Sequence, residues 1–150
     1  MSLENIKEES EVRDRRDLQV NEITKYYGNF AAVDSLSFYA KHGQFVSLLG
    51  PSGCGKTTTL RIIAGFVNPS KGTVLVGGRD ITYLPPYKRN IGLVFQNYAL
   101  WPHMTVFENI AFGLKLRRFK KDEIEQKISE TISLLGLSGL ENRFSRELSG

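Results

Sequence analysis

The sequence predicts an α/β fold built round a phosphate-binding loop, on three observations. Residues 50–57, Gly50-Pro51-Ser52-Gly53-Cys54-Gly55-Lys56-Thr57, read GxxxxGK[ST]. The segment before them, Gln44-Phe45-Val46-Ser47-Leu48-Leu49, is nearly all apolar, as a strand buried on both faces should be. The segment after them sets Leu60, Ile63 and Ala64 at helical spacing. Strand, glycine loop and helix in that order make the core of a P-loop nucleoside triphosphatase (NTPase). The plainer alternative is a glycine-rich turn that binds nothing.

The residue types suit the chemistry. Glycines let successive backbone N–H groups converge on phosphate oxygens. The following helix adds free donors and the positive end of its dipole, extending the binding segment from Gly50 through Pro51, Ser52, Gly53, Cys54, Gly55, Lys56 and Thr57 to Thr58. Lys56 supplies a point charge that reaches the β- and γ-phosphates. Thr57 supplies a hydroxyl for Mg²⁺. Cys54 reads either as a small spacer or as a reactive thiolate stabilised by free N–H groups and Lys56.

Composition is that of an ordinary globular protein, 41% hydrophobic and 24% charged, and 150 residues suffice for one real core. Residues 1–96 carry 12 basic and 9 acidic side chains, and 97–150 carry 8 and 7. Neither part has the basic bias of a nucleic-acid binder, so no nucleic-acid partner is expected. No apolar run approaches a membrane span, and the charged start does not resemble a signal peptide. A single cysteine excludes an internal disulfide and suits a reducing cytosol. His42 and His103 are isolated, so the only metal expected is Mg²⁺ carried with nucleotide.

Three regions follow from the patterning. Residues 1–17 hold ten charged residues and read as a flexible tail or frayed helix. Residues 18–96 read as the nucleotide-binding α/β core. Leu18, Val20 and Ile23, then Leu36, Phe38 and Ala40, predict a short antiparallel sheet turning at Gly28-Asn29 and leading into the loop. Thr73–Val76 and Ile81–Tyr83 flank Gly77-Gly78 as a hairpin. Ile91–Phe95 reads as a second buried strand with Gln96 at its carboxyl end, where ligands sit in open parallel sheets. Gln96 there either orients a water or touches Mg²⁺, or only closes a strand-end hydrogen bond. Tyr27 is either a sheet aromatic or a platform for an adenine ring.

Residues 97–150 turn helical. Thr105 and Glu108 form a capping box, and Phe107, Ile110, Ala111 and Leu114 line one face. Asp122 is the expected cap of a second helix with the stripe Ile124, Ile128, Ile132 and Leu135, closed by Gly136. A further short helix is expected over 137–143.

Tyr27, the 50–57 loop, Gln96 and Leu148-Ser149-Gly150 together resemble the nucleotide-binding subunit of ATP-binding cassette (ABC) transporters, from about Leu18 to Gly150. The resemblance implies a RecA-like core with an antiparallel β subdomain and an α-helical subdomain, truncated at the signature motif. It implies that Tyr27 stacks on the adenine of ATP, that Lys56 and Gln96 are catalytic, and that Thr57 and Gln96 hold Mg²⁺. Ser149 and Gly150, the start of the LSGGQ signature, would meet the ATP of a second copy or paralogue. Val94–Asn109 looks like bacterial or archaeal importers, and Ala64-Gly65-Phe66…Pro69 with Leu84–Arg89 is similar to polyamine-type importer subunits, with sugar importers next. The implied setting is cytoplasmic, on the inner face of the membrane. Permease subunits would dock near Gln96–Met104, and a solute-binding protein would act indirectly. The chain stops before the family's acidic strand, catalytic glutamate and switch histidine. Strand 44–49 is therefore expected to have an unpaired edge, and these 150 residues alone are expected to be a nucleotide-binding fragment without turnover. A small-molecule kinase would share the loop but gives no reason for Gln96 or Leu148-Ser149-Gly150.

Overall fold

The computed structural model describes residues 17–148. β1 (Leu18–Tyr27) and β2 (Phe30–Ala40) form an antiparallel hairpin across Gly28-Asn29. Gly28 stands at φ 57°, and a glycine at the first position of a two-residue turn lets the strands keep their natural twist. β3 (Lys71–Val76) pairs antiparallel with the other edge of β1, and β4 (Arg79–Asp80) pairs with β3. The sheet order is therefore β2-β1-β3-β4.

The central strand is bulged. Val20 and Ile23 are both buried, although three residues apart, which strict alternation would place on opposite faces. The register shifts between them, and Glu22 takes φ 48°. The extra residue restores the facing of Ile23. Ser37 Oγ accepts the displaced Glu22 N–H at 2.8 Å, so the bulge leaves no orphan donor there.

Helix α1 (Lys56–Ala64) covers this sheet. Ile62 and Ile63 join Val20, Ile23, Val33, Val74 and Ile81 in one core. Each fully buried Ile or Val contributes about 1.5–3 kcal/mol relative to exposure. Of the three positions expected to be buried, Ile63 and Ala64 are buried and Leu60 is not. Leu60 is 45% exposed, and Thr59, at 2%, lies inward instead.

Two expectations of the core fail. Residues 44–49 and 91–95 form no regular secondary structure and pair with no strand among the described residues. Phe45 and Leu49 are each 90% exposed and Val94 is 86% exposed. A doubly buried strand needs ladder partners on both edges and covering layers on both faces, and these segments have neither here. Ile81–Tyr83 is likewise not a strand arm. The arm is only Arg79–Asp80, after which Thr82 turns inward and Pro86 opens a one-turn helix, α2 (Pro86–Arg89). Asp17 belongs with the sheet rather than with a tail. It is buried, its carboxylate accepts from the Tyr39 hydroxyl and the His42 N–H, and its carbonyl accepts from Gly77 N–H. The rest of the expected tail lies outside the described residues.

The chain divides into two compact units between Leu93 and Val94. In the second, α3 (Val106–Leu116) has the expected capping box: Thr105 Oγ1 accepts from Glu108 N–H, and Glu108 accepts from Thr105 N–H at 2.8 Å. α4 (Lys121–Leu134) packs Ile124, Ile128 and Ile132 on Ala111. Three details are corrected. The N-cap of α4 is Lys120, whose N–H is taken by Glu123, not Asp122. Leu135 lies past the helix end and is 60% exposed. Residues 137–143 form turns, followed by a single 3₁₀ turn at Ser145–Glu147, because Gly136 and Gly139 both take positive φ.

Candidate nucleotide-binding site

The loop at 50–57 is built as the residue pattern requires. Gly50, Gly53 and Gly55 take φ 151°, 84° and 90°. A Cβ on Gly55 would lie 2.3 Å from Ala32 O, and one on Gly50 would lie 2.6 Å from Cys54 Sγ. Gly53 has open space where a Cβ would be, so its side of the loop is free for close approach. Gly55 is the N-cap of α1 and has no side chain to cap it. Its carbonyl accepts the Thr59 N–H at 2.8 Å, which starts the helical ladder. The Lys56, Thr57 and Thr58 amides therefore have no backbone acceptor among the described residues. This is a cradle of donors at a helix N-terminus, which fits a phosphate group.

Lys56 closes the cradle. Its Nζ donates to Gly50 O at 2.6 Å, to Pro51 O at 2.7 Å and to Cys54 Sγ at 3.3 Å. All three protons of the ammonium are thereby directed at the loop. Thr57 is exposed and Thr58 half-buried. Beside the loop, a pocket of about 280 Å³ lies between Ala31, Val33 and Asp34 of β2 and Gly53 and Cys54. Tyr27 is 51% exposed at the end of β1, with the Lys25 ammonium 5.4 Å from its ring centroid. It is no core aromatic.

The residues of 50–58 are thus brought together in the first unit. Gln96 lies in the second unit, exposed, at the start of a turn in which Phe95 O accepts Tyr98 N–H at 2.9 Å. It does not end a paired strand. Ser149 and Gly150 lie outside the described residues.

One supporting residue was not legible in the sequence. Arg89 is 5% exposed, and its guanidinium donates to Leu84 O, Ile62 O, Ile63 O and Thr82 O at 2.6–2.8 Å. Two of these are terminal carbonyls of α1, where a cation also meets the negative end of the helix dipole. Burial lowers the Arg89 pKa, opposed by the nearby Asp80 carboxylate. Asp80 is itself held below its ordinary value by hydrogen bonds from Thr82 and then by Arg89. Gly65 makes the room, since a Cβ there would lie 2.4 Å from Arg89 Nε. In Pro86-Tyr87-Lys88-Arg89, no pattern separates this buried arginine from its exposed neighbour Lys88. The only hint was a glycine directly after the helix.

The sequence profile described as ABC transporter matches residues 33–150. The chain belongs to the ABC transporter family. The ABC sequence is 52% identical over 128 residues to the Fe(3+) ions import ATP-binding protein of Brucella suis, covering 85% of this chain and 36% of that protein. It is 51% identical over 133 residues to the spermidine/putrescine import ATP-binding protein of Rubrobacter xylanophilus, covering 89% and 35%. The chain thus spans about a third of the length of these curated relatives. Among solved structures, the ATP-binding cassette MJ1267 of an ABC transporter superposes with TM-score 0.76 at 32% identity, over 90% of this chain and 60% of that one. The cassette MJ0796, solved as a dimer bound to ADP and Pi, superposes with TM-score 0.76 at 28% identity, over 88% and 63%. The fold is therefore that of the P-loop ABC ATPase cassettes.

Proposed function

We propose that this ABC chain is the nucleotide-binding part of an importer's ATP-binding subunit. The observation that carries the reading is the 50–58 cradle, with amides at a helix N-terminus and Lys56 across its mouth. ATP, when bound, supplies the phosphoryl group whose transfer drives the cycle. Amides 56–58 and Lys56 would hold its phosphates, Thr57 and Gln96 its Mg²⁺, and exposed Tyr27 its adenine. Lys56 Nζ would exchange its loop carbonyls for phosphate oxygens, which are better partners for a cation because they are charged. Gln96 would orient the attacking water, and Ser149 with Gly150 would serve the ATP of a second copy or paralogue.

The solute is polyamine-like or sugar-like on the sequence reading. The names of the relatives add Fe(3+) to that range and leave polyamines within it. By its resemblance to import subunits the chain would sit on the inner face of the membrane; no helix among the described residues is long and apolar enough to cross it. Permease subunits would dock on the loop around Gln96–Met104, and a solute-binding protein would act through them.

Nucleotide binding by the full-length protein and its Lys56→Ala variant tests the reading. Loss of the charged donor should weaken Mg·ATP binding by roughly 10- to 100-fold, equivalent to a charge-assisted hydrogen bond of about 1.5–3 kcal/mol. Equal affinities of the two proteins would refute it. The exposed apolar segments 44–49 and 91–95 favour a second reading for these 150 residues taken alone, as a nucleotide binder without turnover. Measurable hydrolysis by the 150-residue polypeptide, abolished by Lys56→Ala, would overturn that.

A further inference from the structure

The second unit holds a loop that one side chain of the following helix ties down at several backbone groups. Asn97–Met104 leads into α3 and carries three exposed apolar residues: Tyr98 at 76%, Leu100 at 54% and Trp101 at 39%. It is nevertheless an ordered turn. Tyr98 and Ala99 take φ 59° and 51°, a left-handed conformation that disfavours residues with a Cβ. Trp101 leans on Phe112 of α3, with ring centroids 4.2 Å apart and planes tilted by 45°.

Asn109, on the first turn of α3, holds this arrangement. Its Oδ1 accepts the Trp101 N–H at 3.0 Å. Its Nδ2 donates to Trp101 O at 3.2 Å, Met104 O at 3.1 Å and Thr105 O at 3.0 Å. The side-chain amide therefore grips both backbone groups of Trp101, as a strand neighbour would, and ties them to the helix cap. One end faces an N–H and the other faces carbonyls, so only one orientation of the amide satisfies the site. Strain held by surrounding bonds in an exposed aromatic loop is a mark of a preorganised contact surface.

We infer that Asn109 is a positioning residue: it presets the Asn97–Met104 loop so that Tyr98, Leu100 and Trp101 meet an apolar helix of a membrane-spanning partner. This inference rests on the docking reading above. It adds that the surface is fixed before the partner arrives, so that little ordering entropy remains to be lost on contact.

Asn109→Asp is nearly isosteric. It keeps the acceptor for Trp101 N–H but sets a carboxylate oxygen against three carbonyls. Hydrogen–deuterium exchange on the full-length protein, with Asn109→Asp and Asn109→Ala, reads the loop directly. Residues 101–104 should exchange faster by about tenfold or more, while 110–116 of α3 keep their protection. ATPase activity stimulated by the permease subunits should fall in parallel. Unchanged exchange at 101–104 overturns the inference. So does a common rise across 106–134, which would make Asn109 merely structural, and so does a loosened loop with full stimulation. Trp101→Glu separates the two claims, since it alters the surface and leaves the backbone bonds to Asn109 in place. Full stimulation in that variant removes the docking reading and with it the functional part of the inference, whatever the exchange result.

Discussion

Two loops in this chain are each shaped by one polar side chain on the helix that follows, and they serve opposite ends. In the loop at 50–57, Lys56 draws in the carbonyls of Gly50 and Pro51, and the amides of Lys56, Thr57 and Thr58 have no backbone acceptor among the described residues. In the loop at 97–104, Asn109 satisfies donor and acceptor together, and what faces outward is apolar. A cation at an exposed mouth gives up its carbonyls readily to a charged ligand. A half-buried amide pair has no such exchange open to it. On the proposed function, the same device would yield a receptive surface in one place and a fixed surface in the other.

The contrast breaks most severely where the first loop's helix is anchored. Arg89→Met removes four hydrogen bonds; Ile62 O keeps the Gly65 N–H, while Ile63 O, Thr82 O and Leu84 O lose their guanidinium donor in a buried site. A loss of about 3–5 kcal/mol in the stability of the first unit is expected, read as a lower denaturation midpoint. A midpoint within the error of the parent would show that Arg89 holds nothing. Next in size is Gly55→Ala, which combines a left-handed φ with a Cβ 2.3 Å from Ala32 O. It should cost about 2–3 kcal/mol and abolish nucleotide binding, while Gly53→Ala, with open space around it, should cost about 1 kcal/mol. Comparable losses in the two variants would remove the distinction between a packed and an open glycine.

The smallest effect concerns the second loop's helix. Glu108 is held below its ordinary pKa, chiefly by the Thr105 N–H it accepts. A carboxyl group whose folded pKa is depressed contributes stability above its unfolded value and loses it as pH falls through the folded one. The α3 cap should therefore loosen on acidification through and below the ordinary glutamate range, and Glu108→Gln should flatten that part of the stability–pH curve. An unaltered acid limb in Glu108→Gln would assign the dependence elsewhere. Asp80 and Glu141 shift the same way and set the background for the measurement.

Legibility followed the range of the interactions. The glycine loop, the Gly28 turn and the Thr105–Glu108 box are short-range devices, and their residue types state the required geometry. On α1, Ile63 and Ala64 are buried as their spacing states, but Leu60 was misassigned: Thr59 packs inward as well as any small apolar side chain, and composition does not display that. Arg89 and Asn109 were invisible for a related reason. Their roles consist of backbone carbonyls brought to them by the fold, and a carbonyl has no letter in the sequence. Segments 44–49 and 91–95 erred in the other direction. Their apolar runs state a need for burial, but partners at distant positions decide whether that need is met.

By itself the amino-acid sequence determined the phosphate loop at Gly50–Thr57, the hairpin turn, the Thr105–Glu108 cap of α3 and the family resemblance. All are set by local backbone preference and the spacing of a few side chains. Only the tertiary structure decided the bulge that turns Ile23 inward, the grip of Arg89 on the end of α1, the clasp of Asn109 on Trp101 and the exposure of Phe45, Leu49 and Val94. Each of these depends on which groups meet across the fold, and burial and hydrogen bonding are properties of that meeting rather than of any residue alone.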